Sequence, residues 1–369
     1  MKVLLLSCST GGGHNSTAAA IGAAVEARGG SWETVNVLQF LPRSTAEFIT
    51  KGHDFSYRHI PKLYGVGYRF EEKHPPVQVY RKVIKGADRL QEAVAAARPD
   101  AIVSVHVFAS MMLTELRRTG GLTVPVYFVA TDYTCSPGVG QLDADAYFIP
   151  HEDLRQEFAA AGVPAERIVA SGIPVREAFA PAEDRAALKR SLGVGPAGKL
   201  VVMAGGSMGC GPIPQIATLL APRLGPEDRL LVVCGSNKSM HRQLRAVFRR
   251  KKQVQILGYT KDMARLVRAA DLLITKAGGL SSTEAVAAET PVLYINAVPG
   301  CESRNLQFMT AHGYAAAGKH AWDVTAMAIG LLAGDAARAA MVERRRGRFP
   351  THAADTVCDV VYAKAGRKP

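Results

Sequence analysis

Short, continuous runs of β-branched and aliphatic residues alternate with helical stretches along almost the whole chain, and this alternation constrains the fold more than any single motif. The runs are Val3–Ser7, Thr34–Leu38, Ala101–Val105, Val124–Ala130 and Ala146–Ile149, then Leu200–Ala204, Leu230–Cys234, Val254–Leu257, Leu272–Thr275 and Val292–Ile295. Strands apolar on both sides are buried on both sides, the condition of a parallel sheet covered by helices. The 369 residues are enough for two such α/β units, each with its own core. The glycine and prolines of Ser171–Arg176 and Pro181 mark the joint, giving units 1–176 and 177–349. Residues 350–369 read as a closing helix, with Ala353, Val357, Val360 and Val361 on one side, that packs back.

Charge and cysteine usage narrow the class. Apolar residues make up 48% and charged residues 21%, so the chain folds. The six cysteines are scattered, without Cys-x-x-Cys or Cys/His spacing, which excludes a disulfide framework and a structural zinc site and predicts a reducing, cytoplasmic location. Met1–Ser7 is too short an apolar stretch for a secretory or membrane segment. A net charge of +13 favours an anionic partner: a nucleotide, a nucleic acid or an acidic lipid surface. Residues 43–90 interleave ten Lys/Arg with seven aromatic residues, a composition suited either to an anionic membrane surface or to a helical insertion with a local aromatic core. Two further basic stretches, Arg242–Lys252 and Arg338–Arg348, read as solvated helix faces, and no nucleic-acid-binding module is present.

The candidate chemistry lies in loops that follow strands. Ser9–His14 holds three glycines directly after the first strand and before an alanine-rich helix, so Gly12 and Gly13 allow a ligand close to backbone N–H groups at a helix N-terminus. It has neither the Gly-x-Gly-x-x-Gly nor the Gly-Lys-Ser/Thr pattern. His14 can take a proton from a hydroxyl near neutral pH. Asp132 and His106 each follow a strand and belong on the same carboxyl edge, where Asp132 can orient the imidazole or offset its charge. In the second half, Ala204–Gly211 and Lys276–Glu284 repeat the strand–glycine loop arrangement. Their glycines and the hydroxyls of Ser207, Ser281 and Ser282 are suited to a diphosphate without a metal, and Glu284 to ribose hydroxyls. Asp143 and Asp145 read as a loop charge pair and not as a metal site.

Taken together, Ser9–His14, Thr131–Tyr133, Ser171–Arg176, Met203–Gly206, Leu257–Tyr259, Ile274–Glu284 and Val298–Asn305 resemble the bacterial processive diacylglycerol glucosyltransferases and plant monogalactosyldiacylglycerol synthases. More distantly the chain is similar to the N-acetylglucosaminyltransferase that makes lipid II. The resemblance implies a GT-B fold, two Rossmann-like domains facing a cleft, with the acceptor on the first and a UDP-sugar on the second. It implies that Gly258, Tyr259 and Met263 receive uracil, that Gly206, Ser207, Gly278, Gly279 and Leu280 surround the diphosphate, that Glu284 holds ribose, and that Glu302 and Asn305 contact the hexose or nearby phosphate. His14 is then the acceptor-side base. The chain departs from the family at Cys301, where glutamine is usual, and at Ser9, an aspartate in the plant enzymes. The expected activity is inverting, cofactor- and metal-independent hexosyl transfer from a UDP-sugar to a lipid hydroxyl, diacylglycerol foremost, at the inner face of the cell membrane. A UDP-N-acetylglucosamine 2-epimerase and a non-catalytic nucleotide-sugar-binding protein are the alternatives.

Overall fold

Each half of the chain builds a six-stranded, wholly parallel sheet. In the computed structural model, which describes residues 1–8, 12–47, 77–181, 184–295, 297 and 299–364, the first sheet comprises β1 (Lys2–Ser7), β2 (Ser31–Asn36), β3 (Ala101–Ser104), β4 (Val126–Val129), β5 (Ala146–Ile149) and β6 (Ile168–Ala170). The second comprises β7 (Leu200–Ala204), β8 (Arg229–Val233), β9 (Val254–Leu257), β10 (Leu272–Thr275), β11 (Val292–Tyr294) and β12 (Ala316–Ala317). The strand orders are β2-β1-β3-β4-β5-β6 and β12-β11-β10-β7-β8-β9. The chain packs as two units, Met1–Arg176 with Val298–Cys301 and Pro350–Pro369, and Glu177–Ala297 with Glu302–Phe349.

Strand order decides where a site can form. After β1 the chain adds β2 on one side and then returns to add β3 on the other, so the connections from β1 and β3 leave in opposite directions and open a crevice at their carboxyl ends. The same reversal occurs in the second sheet between β7 and β10. Interior strands such as β3, β4, β7 and β10 are buried at every position, as their unbroken apolar runs require.

Sequence and structure differ most at the β2 edge of the first sheet and at its β6 edge and the β12 edge of the second. Apolar patterning predicts a strand over Thr34–Leu38, whereas β2 occupies Ser31–Asn36 and Val37–Phe40 forms a 3-10 turn. An edge strand is half exposed and tolerates polar residues, while Val37, Leu38 and Phe40 are buried by the turn instead. β6 and β12, of three and two residues, are too short to leave a periodicity.

In the first unit the helix Ala353–Lys364 contributes Val357, Cys358, Val361 and Tyr362 to the core around Val3, Leu5, Val103 and Phe148. It lies against the helix Gly12–Ala27, and Arg28 at that helix's end binds Asp355 and Asp359, each at 2.8 Å. Apolar burial carries this docking, because ion pairs this exposed add at most about 1 kcal/mol. The second core gathers Val201, Met203, Ile216, Leu230, Val232, Ile274 and Leu293.

The charged segments divide. Asp143 and Asp145 are engaged by arginines: Arg117 binds both, and Arg167 reaches Asp143 at 3.3 Å. The stretch Arg338–Arg348 is not simply a solvated face, a correction to the sequence reading. Arg338 and Arg345 are buried; Arg338 bonds to Leu331 O and Asp335, and Arg345 holds the carbonyls of Tyr314 and Thr290. Of the basic, aromatic-rich region 43–90, residues 48–76 lie outside the described residues. Its remainder includes the helices Val77–Val83 and Ala87–Ala97, and there Tyr80 packs inward to donate to Glu115 at 3.4 Å. No single helix among the described residues is long and apolar enough to cross a membrane.

Candidate functional site

The crevice between β1 and β3 holds a pair of histidines. His14 sits in the first turn of the helix Gly12–Ala27, which follows β1, and its Nδ1 lies 3.0 Å from the carbonyl oxygen of Val105, just past β3. A carbonyl only accepts, so Nδ1 carries the proton and Nε2 of the neutral ring holds the lone pair. The hydroxyl of Thr131 lies 3.2 Å from the same Nδ1 and is a second partner fixing the ring. His106 has the opposite arrangement. Its Nδ1 accepts from the N–H of Phe108 at 3.1 Å, capping the helix Val107–Arg118, which leaves the proton of the neutral ring on Nε2. The two rings meet edge to face with centroids 4.7 Å apart. The two neutral rings thus carry opposite tautomers, with a basic Nε2 on His14 and an N–H at Nε2 of His106. Half-buried Asp132 follows Thr131 on this carboxyl edge, and the buried ring of Tyr133 anchors the loop.

The crevice between β7 and β10 is built mostly from backbone. Gly206 adopts φ +72°, and a Cβ there would meet Lys276 Cε at 2.5 Å; Gly209, at φ +60°, would place a Cβ 2.1 Å from the carbonyl oxygen of Cys234. Only glycine suits these two positions. The helix Gly279–Ala287 opens after β10 with Gly278, which has no side chain to cap it, at its start. The first N–H groups of a helix and its dipole favour an anion. Lys276, at the start of this loop, places Nζ 2.5 Å from Glu302 Oε1, and the two side chains are only 20% and 11% exposed.

The residues expected around the nucleotide fall into three groups. Ser207 is exposed, and Gly206, Gly278, Leu280, Ser281 and Glu284 are partly exposed on the two loops and the helix start, with Gly279 buried beneath. Gly258 follows β9 in open space, Tyr259 is 72% exposed, and Met263 begins the helix Met263–Ala269. Others are engaged internally. Ser282 is fully buried: its hydroxyl donates to Gly278 O at 2.8 Å and accepts from Tyr294 at 2.6 Å, so it is a brace for the loop and not a phosphate ligand, a second correction. Burial pushes the Tyr294 phenol up to about 12, which keeps it a neutral donor. Asn305 is also fully buried and donates to Ala277 O at 3.0 Å, supporting the loop from below.

Two functional groups escaped the sequence reading, the hydroxyl of Thr131 and the ammonium of Lys276. Each lies inside a motif already singled out, next to a strand end, and only the strand order shows what it faces. Among the described residues no group of three or more His, Cys, Asp or Glu side chains is placed to hold a metal ion.

Two family matches divide the chain as the sheets do. Residues 14–175 match the monogalactosyldiacylglycerol (MGDG) synthase family, and residues 200–318 match the glycosyltransferase family 28 C-terminal domain. The first half of the chain thus resembles the MGDG synthase family and the second half the family 28 glycosyltransferases. The MGDG synthase match covers the histidine crevice, and the family 28 match covers the glycine loops. A processive diacylglycerol beta-glucosyltransferase of Bacillus cereus (strain B4264) is 26% identical over 380 aligned residues, covering 100% of this chain and 95% of that protein. Among solved structures, Acinetobacter baumannii MurG is similar at a TM-score of 0.64 and 17% identity, over 98% of this chain and 99% of MurG. Neisseria meningitidis UDP-GlcNAc 2-epimerase bound to UDP-GlcNAc is similar at a TM-score of 0.64 and 12% identity, over 98% of this chain and 99% of that one. These likenesses establish the GT-B fold.

Proposed function

We propose that this glycosyltransferase moves a hexose from a UDP-hexose to the hydroxyl of a membrane lipid, diacylglycerol, with inversion at the anomeric carbon, on the cytoplasmic face of the membrane. The observation that carries the proposal is the hydrogen bond from His14 Nδ1 to the Val105 carbonyl, which leaves Nε2 as a basic nitrogen at the sheet's switch point. His14 Nε2 takes the proton of the lipid hydroxyl as its oxygen attacks the anomeric carbon. The bond from that carbon to the diphosphate oxygen breaks, and UDP leaves with the electron pair. Asp132, on the same edge, offsets the charge of the imidazolium. His106 Nε2–H donates to the acceptor oxygen or its neighbour on the lipid. In the second unit, Gly206, Ser207, Gly278, Gly279, Leu280 and Ser281 surround the leaving diphosphate, and Lys276 supplies a fixed positive charge near it. Gly258, Tyr259 and Met263 receive the base, Glu284 the ribose, and Glu302 the hexose.

The lipid acceptor is supported by the activity named for the B. cereus relative, and the UDP-sugar by the UDP-GlcNAc bound to the Neisseria protein of like fold. The test is incubation with a panel of UDP-sugars and lipid acceptors, followed by mass analysis. The expected result is a hexosyl lipid and free UDP in equal amounts, with UDP released only when lipid is present. Conversion of UDP-N-acetylglucosamine without lipid would instead mark an epimerase. A bound UDP-hexose that is never consumed would mark a non-catalytic binder.

A further inference from the structure

One helix of the second unit concentrates the charge of the molecule. Residues 238–252 contain seven Lys/Arg and no Asp or Glu, more than half of the chain's formal net charge of +13. They form the helix Lys238–Val247 and the loop that leads into β9, the edge strand of the second sheet. Met240, Leu244 and Phe248 turn inward to the core. Lys238, Arg242, Arg245, Arg249, Arg250, Lys251 and Lys252 are all exposed, and Val247 stands 54% exposed among them. Among the described residues, no carboxylate pairs with any of the seven cations. Glu227 and Asp228, just before β8, accept from the backbone N–H groups of Ala197, Lys199 and Gly225.

Elsewhere several cations are paired: Arg28, Arg117, Arg155, Arg338 and Arg346 each face a carboxylate. A solubility surface mixes the two signs, because seven neighbouring cations repel one another. Attraction to the helix C-terminus explains a cation in the last turn, and Arg245 fills that place. It does not explain the remaining six.

We infer that this face docks on an anionic lipid bilayer. Clusters of four to eight Lys/Arg on an amphipathic helix are the composition that anionic head groups recruit, and an exposed valine among them suits the head-group boundary. Single-stranded nucleic acid is the less suitable partner, since its recognition relies on exposed aromatic rings for stacking and Phe248, the one Phe, Tyr or Trp of this segment, is buried. The surface is separate from the glycine loops. The chain runs from β8 down the helix to the amino-terminal end of β9, so Arg249–Lys252 lie at the sheet edge opposite the diphosphate crevice. The docking face thus holds the enzyme without occupying its donor site, and it goes beyond the proposed reaction by supplying a second, electrostatic attachment to the surface that carries the lipid.

The test is co-sedimentation of the full chain with phosphatidylcholine vesicles and with vesicles containing 30% phosphatidylglycerol, comparing wild type with the combined variant Arg242→Gln, Arg245→Gln, Arg249→Gln, Arg250→Gln. Wild type should bind only the anionic vesicles, with release in 0.5 M salt, and the variant should lose roughly tenfold or more in partitioning while keeping its thermal midpoint and its affinity for UDP. Equal binding of the variant to anionic vesicles would overturn the inference, as would wild-type binding to neutral vesicles at the same level. Retention on single-stranded RNA that vesicles cannot displace would overturn it in favour of nucleic acid. None of these readouts involves sugar transfer, so failure of the transfer assay leaves the docking result standing, and the converse holds.

Discussion

In the first unit the crevice between β1 and β3 collects side chains with movable protons: two imidazoles, the hydroxyl of Thr131 and the carboxylate of Asp132. In the second, the equivalent crevice between β7 and β10 collects main-chain amides at a helix start, glycines that let a ligand approach them, and one lysine. The topology is shared: both sheets are six-stranded and parallel, with a reversal beside the first strand laid down. The reversal makes the crevice, and the residues placed there decide the chemistry. One crevice suits proton transfer and the other suits an anion, the division a transferase with an anionic leaving group requires.

If that division holds, substitutions in the two crevices should fail in different ways. The largest effect is expected for His14→Ala, which removes the basic nitrogen. Turnover should fall by roughly 10²–10⁴, the usual range for a positioned general base, with UDP affinity nearly unchanged. Equal losses in turnover and UDP affinity would place His14 among the binding groups and erase the contrast. Lys276→Met should act on the other side, raising KM for the UDP-hexose and lowering turnover, each by roughly tenfold. Because the change leaves Glu302 mostly buried without its ammonium partner, Lys276→Met combined with Glu302→Gln should restore the thermal midpoint without restoring turnover. Recovery of turnover in the double variant would mean that Lys276 serves only to neutralise Glu302.

A smaller effect separates two glycines that look alike in sequence. Gly206→Ala demands a left-handed backbone from a residue with a Cβ, a cost of ~1–2 kcal/mol, and drives that Cβ into the flexible end of Lys276. The fold should survive with its ammonium displaced, weakening UDP-hexose binding about threefold to tenfold by the same electrostatic reasoning. Gly258→Ala meets nothing within 4 Å and should leave stability unchanged. Calorimetry of UDP binding on the two variants checks the pair. Equal losses would show that a bare approach to the backbone, and not the placement of Lys276, is what the glycine at 206 provides.

How much of this was legible follows from burial. Ala146–Ile149, Leu272–Thr275 and Val254–Leu257 appear at the bounds their apolar runs predict, while Val126–Val129 is shorter than the run Val124–Ala130 that contains it. Ser31–Asn36 was displaced because an edge strand needs less apolar surface than the turn that follows it. The glycine loops and His14 were legible because a glycine cluster between a strand and a helix has few other uses. Partnerships were not. Nothing in the spacing of Val105, Thr131 and His14 shows that they meet, since the strand order that joins them is a long-range property of the sheet. Arg345 reads as one more surface cation in a basic run, and only packing reveals that it holds two buried carbonyls. Ser282 reads as a phosphate ligand by the same logic as its neighbours, but its hydroxyl is taken up by Tyr294 and the Gly278 carbonyl.

The smallest predicted effect tests the histidine arrangement itself. Thr131→Val deletes one partner of His14 Nδ1 and leaves the Val105 carbonyl in place, so the ring should keep its orientation and turnover should fall only about twofold to fivefold, as expected for one of two outer partners. The direction of the pH effect carries the information. If Nδ1 bears the proton, Thr131 accepts from it, and this hydrogen bond strengthens when the imidazole becomes charged. Losing it disfavours the protonated ring, so the acid limb of the kcat/KM profile should move to lower pH. If Nδ1 were instead the bare nitrogen, Thr131 would donate to it and favour the neutral ring, and the same substitution would move the limb to higher pH. A shift to higher pH would reverse the assigned tautomer and move the basic nitrogen from Nε2 to the face already engaged by the protein. The contrast between a proton-handling crevice and an anion-binding one therefore rests on a sign that a single pH series measures.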